Sequence, residues 1–468
     1  MMGGLILAST AAYILGICGH HTFATDETYS IWGASKPSIG AIIAVPVLYD
    51  PGKQLFYYLV LHYFARPWGY SETAVRALSL LFALCALGLI YALGRDLIDA
   101  ETGVAALAFW AFNPLAVFFA YQARGYSMFL FVGLAQMMAL WRLRASATAG
   151  RTALCGVLSA ALLYTHMAGL LILGGEGAML VRDFAHGRRT PQVWIAMGIA
   201  ALLFAPYVPI AMTQSRELLS GHWLDWIGTA NYSAAARIAA GCVAAAFGIL
   251  IMFGPQIEDR SDEPLRWLAA CALLPMMALI AASVVIRPMF NLRYVTPSLA
   301  VLAILVAGSL TALSPKLRNL AACGFALGCL LMIRFDYPPA EPWPQLAEMI
   351  MAEGKPLQPI FFESGFAGRG GSQEIANGGY PFGYYAVPFD YYFHGRNPRV
   401  PLPGYDPVVA RAKAEAVAGA SGGGWLISWK GDDAAQELPD GRHFRITRIL
   451  SRPRLNVYRI VSRQTARR

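Results

Sequence analysis

Apolar runs of about 17–25 residues, the length that crosses a bilayer as a helix, recur along this chain with short polar turns between them. They fall at 3–19, 73–94, 102–120, 126–142, 152–165, 167–181, 191–212, 233–253, 267–286, 297–313 and 320–334, which predicts about eleven spans. The mildest break is at Tyr164-Thr165-His166. Beyond residue 334 the pattern changes. Proline, glycine and charged residues rise, and a helical stretch, QLAEMIMAEG, is followed by short strand-like runs, PIFFES, GWLISWK and NVYRIV. The expected fold is a polytopic α-helical membrane domain over 1–334 and a small α/β domain over 335–468. Between the first two spans, GASKPSIGAIIAVPVLYD and QLFYYLVLHYFARPWG are apolar enough to bury one face but are broken by Pro37, Pro46, Pro51 and Pro67. They predict interfacial helices lying along the bilayer, inside an outer loop of residues 20–72.

Charge sets the expected orientation. Arg95 in GRDLIDAE, Arg142, Arg144 and Arg151 in WRLRASATAGR, Arg182, Arg188 and Arg189 in RDFAHGRR, and Lys316 with Arg318 in SPKLRN occupy alternate connections. The positive-inside rule assigns these to the cytoplasm. The opposite set then faces outward: 20–72, YQARGYS at 121–127, Thr165-His166, 213–232 and RPMFNLRYVTP at 287–297. An odd number of spans puts the 335–468 domain outside as well. Composition supports the membrane reading, with 57% hydrophobic and 14% charged among 468 residues. The net charge of +9 is scattered over turns and the C-terminal third without a lysine-arginine block, which argues against a nucleic-acid partner. All seven cysteines lie in apolar segments without a CxxC pair and read as small core residues. The start, MMGGLILASTAAYILGICGHH, lacks the basic n-region and cleavage site of a signal peptide and reads as a first spanning helix.

An ordered set of motifs runs through residues 1–350. It comprises Asp26-Glu27, LFYYLVLH at 55–62, GYSETAVRALSLLFALCALGLIYALGRDLI at 69–98, NPLAVFFAYQARGYS at 113–127, YTHMAGLLIL at 164–173, RYVTPSLAVL at 293–302 and PWPQLAEMI at 342–350. The set resembles the GT-C membrane glycosyltransferases and, within them, the dolichyl-phosphate-mannose protein mannosyltransferase group, family 39, with its bacterial relatives the lipid A aminoarabinose transferases. The resemblance implies a bundle of about eleven to thirteen spans with an extracytoplasmic C-terminal domain, a polyprenyl-phosphate sugar donor, and an aspartate of the first outer loop, here Asp26, that activates the acceptor. The chain departs from that pattern in two places. Lys53-Gln54-Leu55 stands where His-Pro-Pro is common, and the second loop reads Tyr121-Gln122-Ala123-Arg124 where the family often has Gln-Glu-Ala-Arg or Gln-x-x-Arg. A divalent metal is therefore not supported by the sequence, and Lys53 supplies positive charge near the donor phosphate instead.

The residue types fit sugar transfer. The leaving phosphate must be stabilised as the anomeric carbon gains oxocarbenium character, and a base must take the acceptor's proton. Arg124 and Arg293, on outer turns between different helices, suit the phosphate because a guanidinium binds it bidentately and stays charged. Asp26 suits the proton, with Glu27 as a second carboxylate, and a single displacement inverts the anomeric centre. Tyr57, Tyr58, Tyr121, Gln122, His166 and Tyr294 complete the expected substrate lining. Each also has a packing reading: the arginines as anchors at helix ends, His166 as a satisfied residue at a helix break, the tyrosines as core. Glu176 lies mid-span, where an ionisable group is costly, and either serves function or bonds across helices. The expected acceptor is a glycolipid or envelope polysaccharide, with protein as the alternative, at the outer face of a bacterial inner membrane. The competing class is a lipid or sugar transporter or flippase without transferase activity. It predicts charges within span interiors and repeated helices, and no internal repeat is visible here.

Overall fold

The computed structural model describes residues 2–19, 22–48, 55–188, 190–220, 263–286, 288–311, 315–333, 341–355, 357–364, 386–403, 407–428, 438–452 and 455–463. They form two compact units. One is helical. The other joins Thr22–Trp32 and Glu217–Trp223, which includes the end of the helix Val208–Ser220, to the region that starts at Pro338, so the Asp26-Glu27 segment groups with the C-terminal sheet, whereas a boundary at 334/335 keeps it with the helices.

The helical unit begins with α1 (Met2–Gly19). After α2 (Thr25–Ala34), whose first residues belong to the second unit, come α3 (Ile39–Leu48) and α4 (Leu55–Ala65). The connection from α1 to the helix that starts at Glu72 therefore carries three short helices. Next are α5 (Glu72–Leu97), α6 (Ala100–Ala111), α7 (Pro114–Ala120), α8 (Tyr126–Ala145), α9 (Ala149–Thr165), α10 (Gly169–Ala185), α11 (Pro191–Phe204), α12 (Val208–Ser220), α13 (Glu263–Val285), α14 (Thr296–Thr311) and α15 (Pro315–Met332). By length and apolarity five helices among the described residues qualify as spans, six when α6 and α7 count as one bent span. The expected spans at 152–165 and 167–181 are α9 and α10, of 17 residues each, and the one expected at 233–253 lies outside the described residues.

Local sequence explains the breaks. Asp99 caps α6 by accepting the Thr102 amide at 2.7 Å. Asn113 accepts the Leu115 amide at 2.9 Å, and Pro114 at the first position starts α7 in a new direction, bent 67° from α6. That bend delivers the chain to the turn that bears Arg124. In the bundle α11 packs on α9, α9 on α8, α8 on α5, α5 on α6, α6 on α14, α14 on α13 and α13 on α10. Small residues permit close approach: a Cβ at Gly94 would stand 2.8 Å from the Gly103 backbone, so α5 and α6 meet main chain to main chain. Leu202, Met277 and Val284 remain exposed, as lipid-facing side chains are in a multi-pass membrane protein.

The second unit is an α/β domain. It contains α16 (Trp343–Glu353), β1 (Ile360–Ser364), α17 (Ala386–Tyr392), β2 (Arg399–Pro403), α18 (Pro407–Ser421), β3 (Gly423–Ser428), β4 (Phe444–Arg452) and β5 (Leu455–Ser462). The strand order is β2-β1-β3-β5-β4. The first three are parallel, and β5 and β4 add antiparallel. Alternation along β1 and β3 splits the core into two layers. Ile360, Phe362, Trp425 and Ile427 pack with Trp343, Ile350 and Phe389 from α16 and α17. Phe361 and Leu426 pack with Ala410, Ala414 and Ala418 of α18. The runs PIFFES, GWLISWK and NVYRIV form β1, β3 and β5, and QLAEMIMAEG lies in α16. The other two strands escape the sequence pattern for opposite reasons. β2 carries Pro401 and Pro403, tolerated because it is an edge. β4, the opposite edge, is mostly exposed, with Arg445, Arg448 and Arg452 and a register shift between Arg448 and Leu450, features that discourage edge-to-edge pairing.

Candidate functional site

In the helical unit the second-loop arginine is placed by its main chain. The turn from Tyr121 to Gly125 joins α7 to α8, and Arg124, 1% exposed, donates its amide to the Gln122 carbonyl at 2.8 Å. Its own carbonyl accepts the Ser79 hydroxyl of α5 at 3.2 Å, and Ser79 in turn meets the Tyr57 phenol of α4 at 3.2 Å. Arg76, also buried, lies one turn before Ser79 on the same face of α5. Arg293 sits in a 3-10 turn, Leu292–Val295, that Asn291 caps by accepting the Arg293 amide at 3.1 Å. Its Nη1 donates to the Tyr126 phenol at 3.0 Å, and the guanidinium lies over the rings of Tyr126 and Tyr294, 5.7 and 5.2 Å from their centroids. His166 closes this cluster. Its ring lies tilted against Phe129 at 5.1 Å and Tyr294 at 5.3 Å, while Nδ1 accepts the Ala168 amide at 3.0 Å, which puts the proton of the neutral ring on Nε2. Arg293, Tyr294, Tyr126 and His166 thus come from three separate turns to one place.

The carboxylates belong to the second unit. α2 begins at Thr25, and Glu27, 3% exposed, reaches back to accept the Ala24 amide at 3.0 Å, the carboxylate half of a capping box. Its position is therefore accounted for by helix capping. Asp26, half-buried in the same first turn, lies where the helix dipole favours negative charge. Thr25 donates its amide at 3.0 Å and its hydroxyl at 2.5 Å to Oε2 of Glu341, which also accepts the Trp343 indole N–H at 2.7 Å. Burial pushes the Glu341 carboxyl above the ordinary range, the charge of Asp26 adds to that, and the hydrogen bonds from Thr25 and Trp343 oppose it.

The remaining expected residues divide plainly. Tyr57 and Tyr58 are fully buried; Tyr58 packs against Gly33, and Tyr57 supports Ser79 and through it Arg124. Tyr121 is buried, its ring against Gly16 of α1, and Gln122 is buried beside it in the turn. Lys53 lies outside the described residues, as does the His20-His21 pair. Among the described residues no group of three His, Cys, Asp or Glu side chains is placed to hold a metal. Sequence reasoning missed Tyr126, although it stands inside the YQARGYS motif, and missed Ser79, Arg76 and Glu341.

No family model matches the chain, and no curated protein matches it by sequence. Solved structures do match. ArnT from Cupriavidus metallidurans bound to undecaprenyl phosphate aligns at a TM-score of 0.61 and 12% identity, over 97% of this chain and 97% of that one. The same protein in the apo state gives 0.63 at 13% identity. This chain has the GT-C fold. The Archaeoglobus fulgidus oligosaccharyltransferase in its apo form shares the GT-C architecture at a TM-score of 0.54 and 13% identity, over 92% of this chain and 69% of that one. At 97% coverage the likeness to ArnT takes in the sheet domain as well as the helices, as expected of a GT-C protein with a C-terminal α/β domain.

Proposed function

We propose that this protein is an inverting glycosyltransferase that moves a sugar from a polyprenyl-phosphate donor to an acceptor at the outer face of a bacterial inner membrane. The observation that carries the reading is the Arg293 cluster, a guanidinium held against two tyrosines whose rings meet His166, at the ends of helices in a GT-C bundle. The solved structure of ArnT, which shares this fold along its whole length, holds undecaprenyl phosphate, and that supports a lipid phosphate as donor here. Arg293 and Arg124 bind the phosphate. As the bond from the anomeric carbon to the phosphate oxygen breaks, its electron pair goes to that oxygen and the guanidiniums stabilise the charge. The acceptor oxygen attacks from the opposite side and its proton passes to Asp26. Glu27 caps the helix that carries Asp26. A glycolipid or envelope polysaccharide is favoured as acceptor over a protein, because the chain lacks the His-Pro-Pro segment common in the protein-modifying group.

The test is direct. Purified protein is incubated with a panel of polyprenyl-phosphate sugars, and release of free polyprenyl phosphate is followed. One donor is expected to be consumed, and Asp26→Asn to reduce turnover by about 10²–10⁴-fold in a protein that stays folded. Consumption of no donor, with movement of a lipid across vesicles instead, would establish a flippase and end the transferase reading.

A further inference from the structure

The start of α2 is fastened to the C-terminal domain residue by residue. The Phe23 amide donates to the Tyr392 phenol at 2.9 Å, and the Phe23 ring meets Tyr391 edge-on at 5.2 Å. Two positions later both donors of Thr25 converge on Glu341 Oε2, the oxygen that also takes the Trp343 indole proton. Trp343 is fully buried in the core layer under the sheet, so Glu341 is held against a rigid wall. Asp26 follows Thr25 directly, and any displacement of Thr25 displaces it.

We propose that Glu341 is the positioning residue for Asp26, so that the C-terminal domain, through one buried carboxylate, sets the place of the catalytic base. The proposal rests on the reading of Asp26 as that base. A base on the first turn of a short helix is useful only if held within a fraction of an ångström of its working position, which a network of side-chain hydrogen bonds can supply. Glu341 ties Thr25 at both donors and is itself tied by Trp343. Its charge also acts on Asp26, because two neighbouring carboxylates each hold a proton more tightly than either alone. Among the described residues, titratable groups at this turn include Glu27 and the phenols Tyr391 and Tyr392.

A readout independent of turnover comes first. In the full chain, Asp26→Cys is made with Glu341 present and again with Glu341→Gln, and alkylation at position 26 is followed against pH by peptide mass spectrometry, so the native cysteines do not interfere. Removing the neighbouring charge is expected to move the titration of that thiol to lower pH; superimposable titrations overturn the proposal. In the transfer assay Glu341→Ala is expected to lower kcat by about 10-fold to 100-fold with the donor KM unchanged, and Glu341→Gln, whose amide oxygen still accepts from Thr25 and Trp343, to restore most of it. Thr25→Val, a smaller change, is expected to lower kcat in the same direction. Wild-type turnover in Glu341→Ala and Thr25→Val overturns the proposal. A shifted thiol titration in a chain that consumes no polyprenyl-phosphate sugar upholds the carboxylate pairing and sinks the transferase reading alone.

Discussion

The two ends of α8 treat arginine differently. At its N-terminal end the Tyr126 phenol accepts from Arg293, whose guanidinium lies over the rings of Tyr126 and Tyr294. At its C-terminal end Arg144, 8% exposed, pairs with Asp183 of α10 and, at 2.9 Å, with Glu263 of α13, while Arg188 reaches the same Glu263 at 2.5 Å. Trp141 lies beneath Arg144 and meets Trp267 at 5.4 Å. One end fastens three helices through ion pairs between helices, and at the other two phenols orient a guanidinium.

That contrast can be broken most severely at the ion-paired end. Arg144→Met leaves Asp183 and Glu263 without their buried partner and is expected to cost about 3–5 kcal/mol of stability, read as a lowered midpoint in a thermal or denaturant scan, with turnover per folded molecule retained. Arg293→Ala should show the reverse: an unfolding midpoint near that of the wild type and a turnover reduced by about 10²–10³-fold. If Arg293→Ala unfolds the protein while Arg144→Met abolishes transfer, the assignment of the two ends is the wrong way round. Tyr126→Phe keeps the ring under Arg293 but removes the phenol, and about tenfold slower release of polyprenyl phosphate is expected, the scale of one hydrogen bond. The smallest effect is expected for Arg188→Ala: its side chain is 51% exposed, so losing its bond to Glu263 should change stability by less than about 1 kcal/mol, and added salt should erase the difference.

Part of this was legible in the linear pattern. Arg124 and Arg293 stand in short turns between apolar runs, opposite in the alternation to the basic connections, and they proved buried and half-buried there. Three strands announced themselves by short apolar runs, but β2 and β4 did not, since an edge strand is free to carry proline or exposed arginine. Tyr126 could have been marked from its place in YQARGYS, one helical start after Arg124, yet only its hydrogen bond to a residue 167 positions away gives it a role. Glu341 has no local signature at all. It lies in a proline-rich stretch, and its partner Thr25 is 316 residues upstream.

The order of apolar runs and basic turns by itself determined that the chain is a helical membrane protein with an α/β domain appended, because burial in lipid and burial under a sheet impose different hydrophobic periods on a sequence. Tertiary structure alone decided which acids meet Arg144, which tyrosines meet Arg293, and that the Asp26 segment packs with the sheet domain. Those outcomes depend on pairings between residues hundreds of positions apart, and a linear pattern records the cost of a buried polar group but not the address of the group that satisfies it.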